Sequence, residues 1–242
     1  MKKLVIIPTY NERENVSRMI SKVMSLDGAF DLLVVDDGSP DGTGGIVRQR
    51  QGEFPGRLHL LERSGKLGLG TAYIAGFRWA SERPYDAVFE MDCDFSLNPD
   101  DLLRLAAALE KGADVAVGSR YARGVNVVDW PMSRLLISYF ASRYVRVVTR
   151  MPVRDATAGF VGYRRRVLEA IDLGRVRMNG YGFQIEMKYT AWRLGFRIEE
   201  VSIIFIDRTE GTSKMSGGIF GEAFFGVMAL PFRRIAAAKK PD

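Results

Sequence analysis

The sequence predicts an α/β protein in which a mostly parallel β-sheet is flanked by helices. Over residues 1–118, short apolar runs alternate with amphipathic segments, a pattern typical of parallel strands joined by helical crossovers. Aspartates directly follow two of the apolar runs, at the sheet edge where such folds place their ligands. Of the 242 residues, 47% are hydrophobic, which is enough to fill the core of one large domain.

The predicted elements follow the chain in order. Strands are predicted near residues 3–8, 31–36, 57–62, 85–91 and 114–118. Helices are predicted between them, near residues 12–26, 41–51, 69–81 and 99–110. The last of these helices has a start signal of its own, with Asn98 as N-cap and Pro99 at the first helical position.

After residue 118 the pattern changes. Residues 130–150 are predicted to form a long helix that carries arginines beside large apolar side chains, and residues 183–194 a second helix. One or two strands are predicted within 196–207, and the tail 219–234 is apolar and aromatic with cations at its end. Because no repeat or low-complexity linker divides the chain, we predict one domain, 1–216, followed by an amphipathic, membrane-proximal extension, 217–242.

The composition limits the kinds of metal site and binding partner that the protein can have. One cysteine, Cys93, cannot form an internal disulfide, and one histidine, His59, leaves little for a site of nitrogen and sulfur ligands. A bound metal is therefore expected to be a hard divalent cation held by oxygen atoms. The net charge of +6 indicates an anionic partner, but no nucleic-acid-binding motif is visible, so nucleic acid is not expected. No signal peptide and no bilayer-spanning stretch is found, which predicts a cytoplasmic protein.

The segment MDCDFSLNP, residues 91–99, carries the first acidic motif. Side chains alternate along a strand, so Asp92 and Asp94 should point the same way and can share one cation. Without a cation their repulsion would raise a pKa or destabilise the fold. The alternative for this motif alone is a solvated turn or helix cap. Cys93 should point away from both aspartates toward the core, as a small structural hydrophobe.

Other candidate residues gather at the same predicted edge. In LVVDDGSPDGT, the pair Asp36–Asp37 ends the second strand, where an acid can recognise a ribose or base, although the following turn-forming residues favour a plain turn. The glycine-rich stretch 65–72 precedes a helix and can bring backbone N–H groups to a phosphate. Further along the chain, Arg120 follows the fifth strand and Arg208 and Lys214 lie in one loop, and such cations stabilise a leaving diphosphate.

Taken in order, these segments resemble the inverting glycosyltransferases of the GT-A fold, a Rossmann-like nucleotide-diphospho-sugar transferase fold, and among them the polyprenyl (dolichyl) phosphate mannose synthases. The resemblance spans nearly all of residues 4–216. Its matching stretches are IIPTYNERENV, LLVVDDGSPDGT, GKLGLGTAYIAGF, FEMDCDFSLNP, VGSRY, VRDATAGFVGYRR, GYGFQIEMKYTAWRLGFRIEEV and IDRTEGTSKMS.

The resemblance implies a donor site for GDP-mannose. The nucleotide-sugar-binding residues would be Pro8, Tyr10, Glu12, Val35, Asp37, Asp92, Cys93, Asp94, Arg208 and Lys214. Asp92 and Asp94 would form the DxD pair, with Asp94 on Mg²⁺ or Mn²⁺. Ser96 is counted as the third metal position; some relatives have glutamine there, and a serine is expected to act through water.

The resemblance also implies a polyprenyl or dolichyl phosphate as the acceptor. A phosphate monoester has a second pKa of about 6 and is already largely ionised at neutral pH, so no strong general base is required. Arg120 and Arg134 are predicted to hold this phosphate, and with Asp94 they form the predicted catalytic set. Asp155 is expected to orient an arginine or close a loop. Attack opposite the leaving GDP predicts a β-linked product.

A lipid acceptor brings the membrane surface into the prediction. The helix 130–150 and the tail 219–234 have the apolar and cationic composition of interfacial segments, which predicts a peripheral protein at the cytoplasmic face of the membrane. The alternative is that this helix packs on the sheet and the tail mediates dimer contact. Many relatives carry transmembrane helices after the catalytic domain; this chain ends without any, so a separate membrane-anchor subunit is also considered.

Two rival functions remain from the sequence. The donor can be UDP-glucose, which would make the chain a polyprenyl phosphate glucosyltransferase. A nucleotide-binding peripheral membrane protein without catalysis would keep Asp37 but would not need the DxD pair together with Arg208 and Lys214. A dinucleotide oxidoreductase is excluded, because the first strand is followed by Pro8-Thr9-Tyr10-Asn11-Glu12 and not by a glycine-rich fingerprint.

Overall fold

The computed structural model describes residues 1–207, 218–235 and 237–238, with only the backbone of residues 218–223. Its strands are β1 (Lys3–Thr9), β2 (Phe30–Asp36), β3 (Leu58–Glu62), β4 (Ala87–Glu90), β5 (Val115–Ser119), β6 (Val127–Val128), β7 (Val161–Arg164), β8 (Ile198–Ser202) and β9 (Phe205–Ile206). Its helices are α1 (Arg13–Met24), α2 (Thr43–Gln51), α3 (Leu69–Ser81), α4 (Asp101–Glu110), α5 (Met132–Thr149), α6 (Arg165–Ala170), α7 (Gly180–Arg193) and α8 (Gly218–Ala229), and a 3₁₀ turn covers Leu230–Phe232.

Seven strands form the main sheet, in the order β3-β2-β1-β4-β7-β5-β8. All neighbouring pairs are parallel except those of β7, which runs antiparallel to both β4 and β5. The carboxyl ends of β1, β2, β4 and β5 therefore lie along one edge. This confirms the predicted α/β fold with a mostly parallel sheet. Strands β6 and β9 pair separately, in parallel.

The core lies on both faces of the sheet. Every residue of β2 is buried, as expected for a strand covered by helices on both sides. In β4, Phe89 packs into the cluster with α1 and α4, whereas Val88 packs into the opposite cluster with α3 and α7. This two-sided burial fixes the register of the strands and so fixes which side chains reach the edge.

The fold differs from the sequence prediction in several details. Helix α4 begins at Asp101, two residues later than predicted, because Asn98 closes a preceding turn in which its Oδ1 accepts the Asp100 N–H at 3.1 Å. Strand β6, helix α6 and strand β7 are absent from the prediction. Of these, β7 is the element that belongs to the main sheet. Its four residues are too short for a local pattern, and its place between β4 and β5 is set by pairing with residues distant in the chain.

Helices α5 and α8 pack beside the sheet rather than on it. Only Ser142, Val145 and Thr149 of α5 are buried, and Val145 packs with Val227 of α8 in a third, smaller core cluster. The alternative in which this helix covers the sheet is therefore wrong. Across the residues that the structure describes, no helix combines the length and apolar character that crossing a bilayer requires.

Candidate active site

The first part of the edge, at the ends of β1 and β2, holds two aspartates with different environments. Asp36 has its hydrogen bonds supplied by the fold, from Thr9 Oγ1 at 2.8 Å and Ser39 Oγ at 2.6 Å. Asp37 instead faces Arg63, with 3.3 Å between Oδ1 and Nη1. Burial raises the pKa of Asp37, and the Arg63 charge and the Leu67 N–H oppose the rise. Asp36 therefore supports the turn, whereas Asp37 is buried beside Arg63 and takes no part in the turn's hydrogen bonds to Asp36.

The other predicted nucleotide residues lie around Asp37. Pro8 and Glu12 are half-buried on either side of Tyr10, and the Lys66 ammonium lies 5.1 Å from the centroid of the Tyr10 ring. Val35 is fully buried in the core, so any contact between Val35 and a ligand would come from its backbone. Lys66 and Leu67 belong to the glycine-rich stretch 65–72, so this stretch lies beside Tyr10 and Asp37. The sequence predicts that these segments share one edge of the sheet.

The DxD segment continues the alternation of β4 past the end of the strand. Met91 and Cys93 are buried in the core cluster on one face, and the half-buried Asp92 and Asp94 take the intervening positions. Cys93 is 3% exposed, which confirms that its side chain packs in the core. Phe95 then turns the chain with a φ of 58°, a left-handed conformation that is uncommon outside glycine.

Ser96 supports Asp94. Its Oγ and its backbone N–H both donate to Asp94 Oδ1, at 2.6 and 3.1 Å. Within the described residues, no group of three or more acidic, histidine or cysteine side chains surrounds a metal position. Two carboxylates one residue apart are a donor set that suits Mg²⁺ or Mn²⁺, which bind through one or two carboxylates and complete their shell with phosphate oxygens and water.

Arg120, at the end of β5, is held by a buried carboxylate. Its Nε donates to Asp155 Oδ2 at 2.7 Å and its Nη2 to Asp155 Oδ1 at 2.6 Å, while Nη2 also reaches Thr157 Oγ1 at 2.8 Å. Burial lowers the pKa of Arg120, but the charge and hydrogen bonds of Asp155 outweigh this and leave the pKa raised. Of the two roles predicted for Asp155, the orientation of an arginine is confirmed.

Arg134 lies in the first turn of α5. Its Nη1 donates to both carboxylate oxygens of Asp207 at 2.8 Å, and its guanidinium lies 4.3 Å from the centroid of the Trp130 ring. The Arg120 guanidinium lies 5.4 Å from the same ring. Trp130 therefore brings the two predicted acceptor arginines to one place. Arg208 and Lys214 lie outside the described residues.

A single cavity of about 460 Å³ connects these groups. Its polar lining residues include Asp92, Ser96, Arg120 and Arg134, together with Trp130. The part lined by apolar side chains of α5 and α8 is called the groove, and its residues are Ile137, Phe140, Ala141, Tyr144, Phe224 and Val227. Tyr144 and Phe224 stack across the groove, with ring centroids 4.7 Å apart.

Sequence reasoning assigned no role to four buried polar residues beneath this cavity. Tyr73 and Gln184 line it, and Glu90 and Lys188 lie behind them, fully or nearly fully buried. Burial raises the pKa of Glu90 to about 8, a rise that Lys188 and Gln184 oppose, and burial lowers the pKa of Lys188 to about 8. Two features of the sequence could have indicated these residues. Glu90 is an acid inside the apolar run of β4, and Gln184 and Lys188 are polar residues inside GYGFQIEMK.

Neither amide atom of Gln184 makes a hydrogen bond of regular geometry to the described residues. The same is true of the Tyr73 hydroxyl. Polar atoms buried without partners are costly. Three such atoms, on two residues of the wall of one cavity, favour a polar ligand in that cavity.

Acids at the edge of a parallel sheet, a cleft for a polar ligand and the arrangement of strands define a glycosyltransferase of the GT-A fold. The pattern of the family described as Glycosyl transferase family 2 matches residues 4–172. A polyprenol monophosphomannose synthase from Mycolicibacterium smegmatis is 47% identical over 93% of this chain and 84% of its own length. An undecaprenyl-phosphate mannosyltransferase from Micrococcus luteus is 48% identical over 94% of this chain and 93% of its own. The chain therefore belongs to glycosyl transferase family 2 and, within it, to the polyprenyl phosphate mannose synthases.

A solved structure supports the fold independently. Glucosyl-3-phosphoglycerate synthase from Mycobacterium tuberculosis, in complex with Mn²⁺, UDP and glucosyl-3-phosphoglycerate, superposes with a TM-score of 0.67 over 99% of this chain and 81% of that one. The two chains are 20% identical. At that distance the likeness concerns the fold, and the predicted GT-A architecture is confirmed.

Proposed function

We propose that this enzyme transfers mannose from GDP-mannose to a polyprenyl or dolichyl monophosphate with inversion, releasing GDP and a β-linked mannosyl phospholipid. One observation carries the proposal: a single cavity is lined by Asp92, by Arg120 and Arg134, and by apolar side chains of α5 and α8. A polar donor, an anionic acceptor group and a lipid tail each require one of these three environments.

The donor end is assigned to the edge formed by β1, β2 and β4. Tyr10 and Asp37 would contact the guanosine part, together with Pro8, Glu12 and the Val35 backbone. Asp92 and Asp94 would hold Mg²⁺ or Mn²⁺, with Ser96 fixing the orientation of Asp94 through its 2.6 Å hydrogen bond. When bound, such a cation neutralises charge that builds on the leaving diphosphate. Arg208 and Lys214 remain predictions for the same diphosphate.

The acceptor end is assigned to Arg120 and Arg134. An ionised phosphate oxygen is itself the nucleophile, so the main task of the protein is to hold two anions close together. Both guanidinium groups are fixed in direction, Arg120 by Asp155 and Arg134 by Asp207. Arg134 also lies at the start of α5, where the helix dipole adds positive potential.

The groove implies contact with a membrane. Helix α5 exposes the apolar side chains Met132, Leu136, Phe140 and Val147 at helical spacing, and α8 exposes Phe225 and Met228. We therefore place the protein peripherally at the cytoplasmic face, with α5 and α8 in the interfacial plane and the mouth of the groove toward the lipid. A separate anchor subunit stays a prediction of the family resemblance.

The test is incubation of the purified protein with polyprenyl phosphate, Mn²⁺ or Mg²⁺, and either radiolabelled GDP-mannose or radiolabelled UDP-glucose. We expect label in the lipid fraction with GDP-mannose and a much slower reaction with UDP-glucose. Preferential labelling from UDP-glucose would replace the proposed donor. No labelled lipid from either donor, with a folded protein and fresh metal, would overturn the proposed reaction.

A further inference from the structure

A second cavity, of about 220 Å³, lies on the other side of α7 from the catalytic cleft. Its walls come from the segment before α7, from α7 itself and from the chain that follows α8. The residues that line it are Arg175, Arg177, Glu186, Tyr189, Thr190, Leu230, Arg233, Arg234 and Ile235. Four arginines thus line one small cavity, which we call the arginine pocket.

The charge of the arginine pocket is only partly compensated. Glu186 is the single acid among its lining residues, and its Oε2 accepts the backbone N–H groups of Arg177 and Met178, at 3.0 and 2.8 Å. Its Oε1 lies 3.7 Å from Arg233 Nη1, at the long end of an ion pair. Within the described part of the chain, no ion pair engages the other three guanidinium groups. An anion is the ligand that this surplus of positive charge favours.

The surroundings of the arginine pocket indicate where that anion is attached. Phe232, directly before Arg233, is 91% exposed, and Phe225 in the preceding helix is 71% exposed. An exposed aromatic ring followed by two arginines is the arrangement of a segment at the boundary of acyl chains and headgroups. Helix α7 lines both cavities, and the chain that lines the arginine pocket from Leu230 onward directly follows α8, which lines the cleft, so an anion in the arginine pocket lies beside the cleft.

We propose that the arginine pocket binds the headgroup phosphate of an anionic membrane phospholipid, separate from the polyprenyl phosphate in the cleft. Arginine suits this role because its planar donors match phosphate oxygens in pairs. A headgroup bound there would hold α7 and the chain after α8 at the surface, with the groove opening toward the lipid. The inference rests on the proposed function only for this orientation of the cleft; the binding itself does not depend on any reaction.

The experiment compares the full-length protein with Arg175→Gln/Arg177→Gln in flotation with two kinds of vesicle. One is pure phosphatidylcholine, and the other contains about three parts phosphatidylcholine to one part phosphatidylglycerol, a typical anionic surface. We expect the substitutions to weaken association with the anionic vesicles about tenfold or more and to leave association with neutral vesicles unchanged. Both side chains are exposed and carry no ion pair to the described residues, so folding should be retained, which circular dichroism checks.

The matched control is Arg78→Gln/Lys111→Gln, which removes the same charge from two exposed side chains outside both cavities. It should weaken anionic association about twofold or less. Equal loss in the two double variants would overturn the proposal in favour of diffuse attraction. Binding of inorganic phosphate that Arg175→Gln/Arg177→Gln abolishes, with vesicle association unchanged, would overturn it in favour of a free phosphate ligand. Transfer to a short-chain, water-soluble polyprenyl phosphate should be unaffected, which separates this result from a failure of the proposed reaction.

Discussion

The carboxylates of the cleft differ in how completely the fold satisfies them. Asp155 is 0% exposed at its side chain and accepts hydrogen bonds from the backbone and the guanidinium of Arg120. Asp94 is half-buried and receives two hydrogen bonds at one oxygen, both from Ser96. The first arrangement orients another side chain, and the second orients a carboxylate toward a ligand.

Asp94→Ala should abolish mannosyl transfer. Replacing even a residue that supports a metal ligand typically costs about 10- to 100-fold, so loss of a ligand should cost at least about a hundredfold. Labelled lipid formed at saturating Mn²⁺ is the measurement. Cys93→Ala is the matched control one residue away: it should keep transfer within about twofold and lose about 1 kcal/mol of unfolding free energy, because the side chain fills core space. An Asp94→Ala protein as active as the control would remove the metal assignment.

Asp155→Asn should destabilise the protein by about 3 kcal/mol, because it leaves the charge of Arg120 buried without its partner. Urea unfolding measures this loss. We also expect a higher KM for the polyprenyl phosphate at an unchanged KM for the donor, which a purely structural role would not produce. Asp207→Asn is the comparison, since its pair with Arg134 is partly exposed and should cost under about 1 kcal/mol. Equal unfolding losses in the two variants would contradict the anchoring role of Asp155.

At the scale of elements, helix α5 contributes to three surfaces at once. Val145 faces α8 in the third core cluster, Phe140 and Tyr144 line the groove, and Leu136 and Val147 face outward. Only a narrow stripe of the helix is buried. Most of its apolar side chains therefore line the groove or face outward, and its arginines occupy other positions that are at least partly exposed. The outward stripe is the part that interfacial binding requires.

Leu136→Ser should weaken association with phosphatidylcholine vesicles roughly fivefold, because a half-exposed leucine that enters the interface contributes part of its transfer free energy. Vesicle sedimentation measures the partition. Leu103→Ser on α4 is the matched control, since its side chain is similarly exposed but belongs to a helix on the sheet. If both substitutions reduce binding equally, or neither does, α5 is not the membrane-facing element.

The elements that the sequence predicted well are those with a local pattern. The apolar runs of β1, β2 and β4 and the amphipathic spacing of α1 and α3 were placed within about two residues, since periodicity reports burial directly. Strand β7 and the pair Arg120–Asp155 were harder. β7 is inserted between two strands by long-range pairing, and the pair joins residues 35 positions apart. In the site, Tyr73 and Gln184 lie on helix faces that look like ordinary core positions in the sequence.

At the scale of the whole molecule, nucleotide binding should increase the free energy of unfolding, so that binding can be detected as a change in Tm. A ligand that binds only the folded state adds about 2.7 kcal/mol at a concentration one hundred times its Kd. GDP with Mn²⁺ should therefore raise the Tm by several degrees, and most of the increase should vanish when the metal is chelated. UDP with Mn²⁺ should give a smaller shift. An equal shift with UDP, or one that survives chelation, would contradict the donor or the metal assignment.

Arg120 is paired with Asp155, and Arg134 with Asp207, before any phosphate binds. These pairs have a consequence for the release of the product. A lipid phosphate that arrives as a monoester brings nearly two negative charges, whereas the glycosylated diester keeps one. Two arginines already paired with carboxylates contribute little net charge to the cleft but keep N–H donors for a phosphate. Hydrogen bonds from these donors are expected to be stronger to the monoester than to the diester, so forming the new bond also weakens the binding of the product.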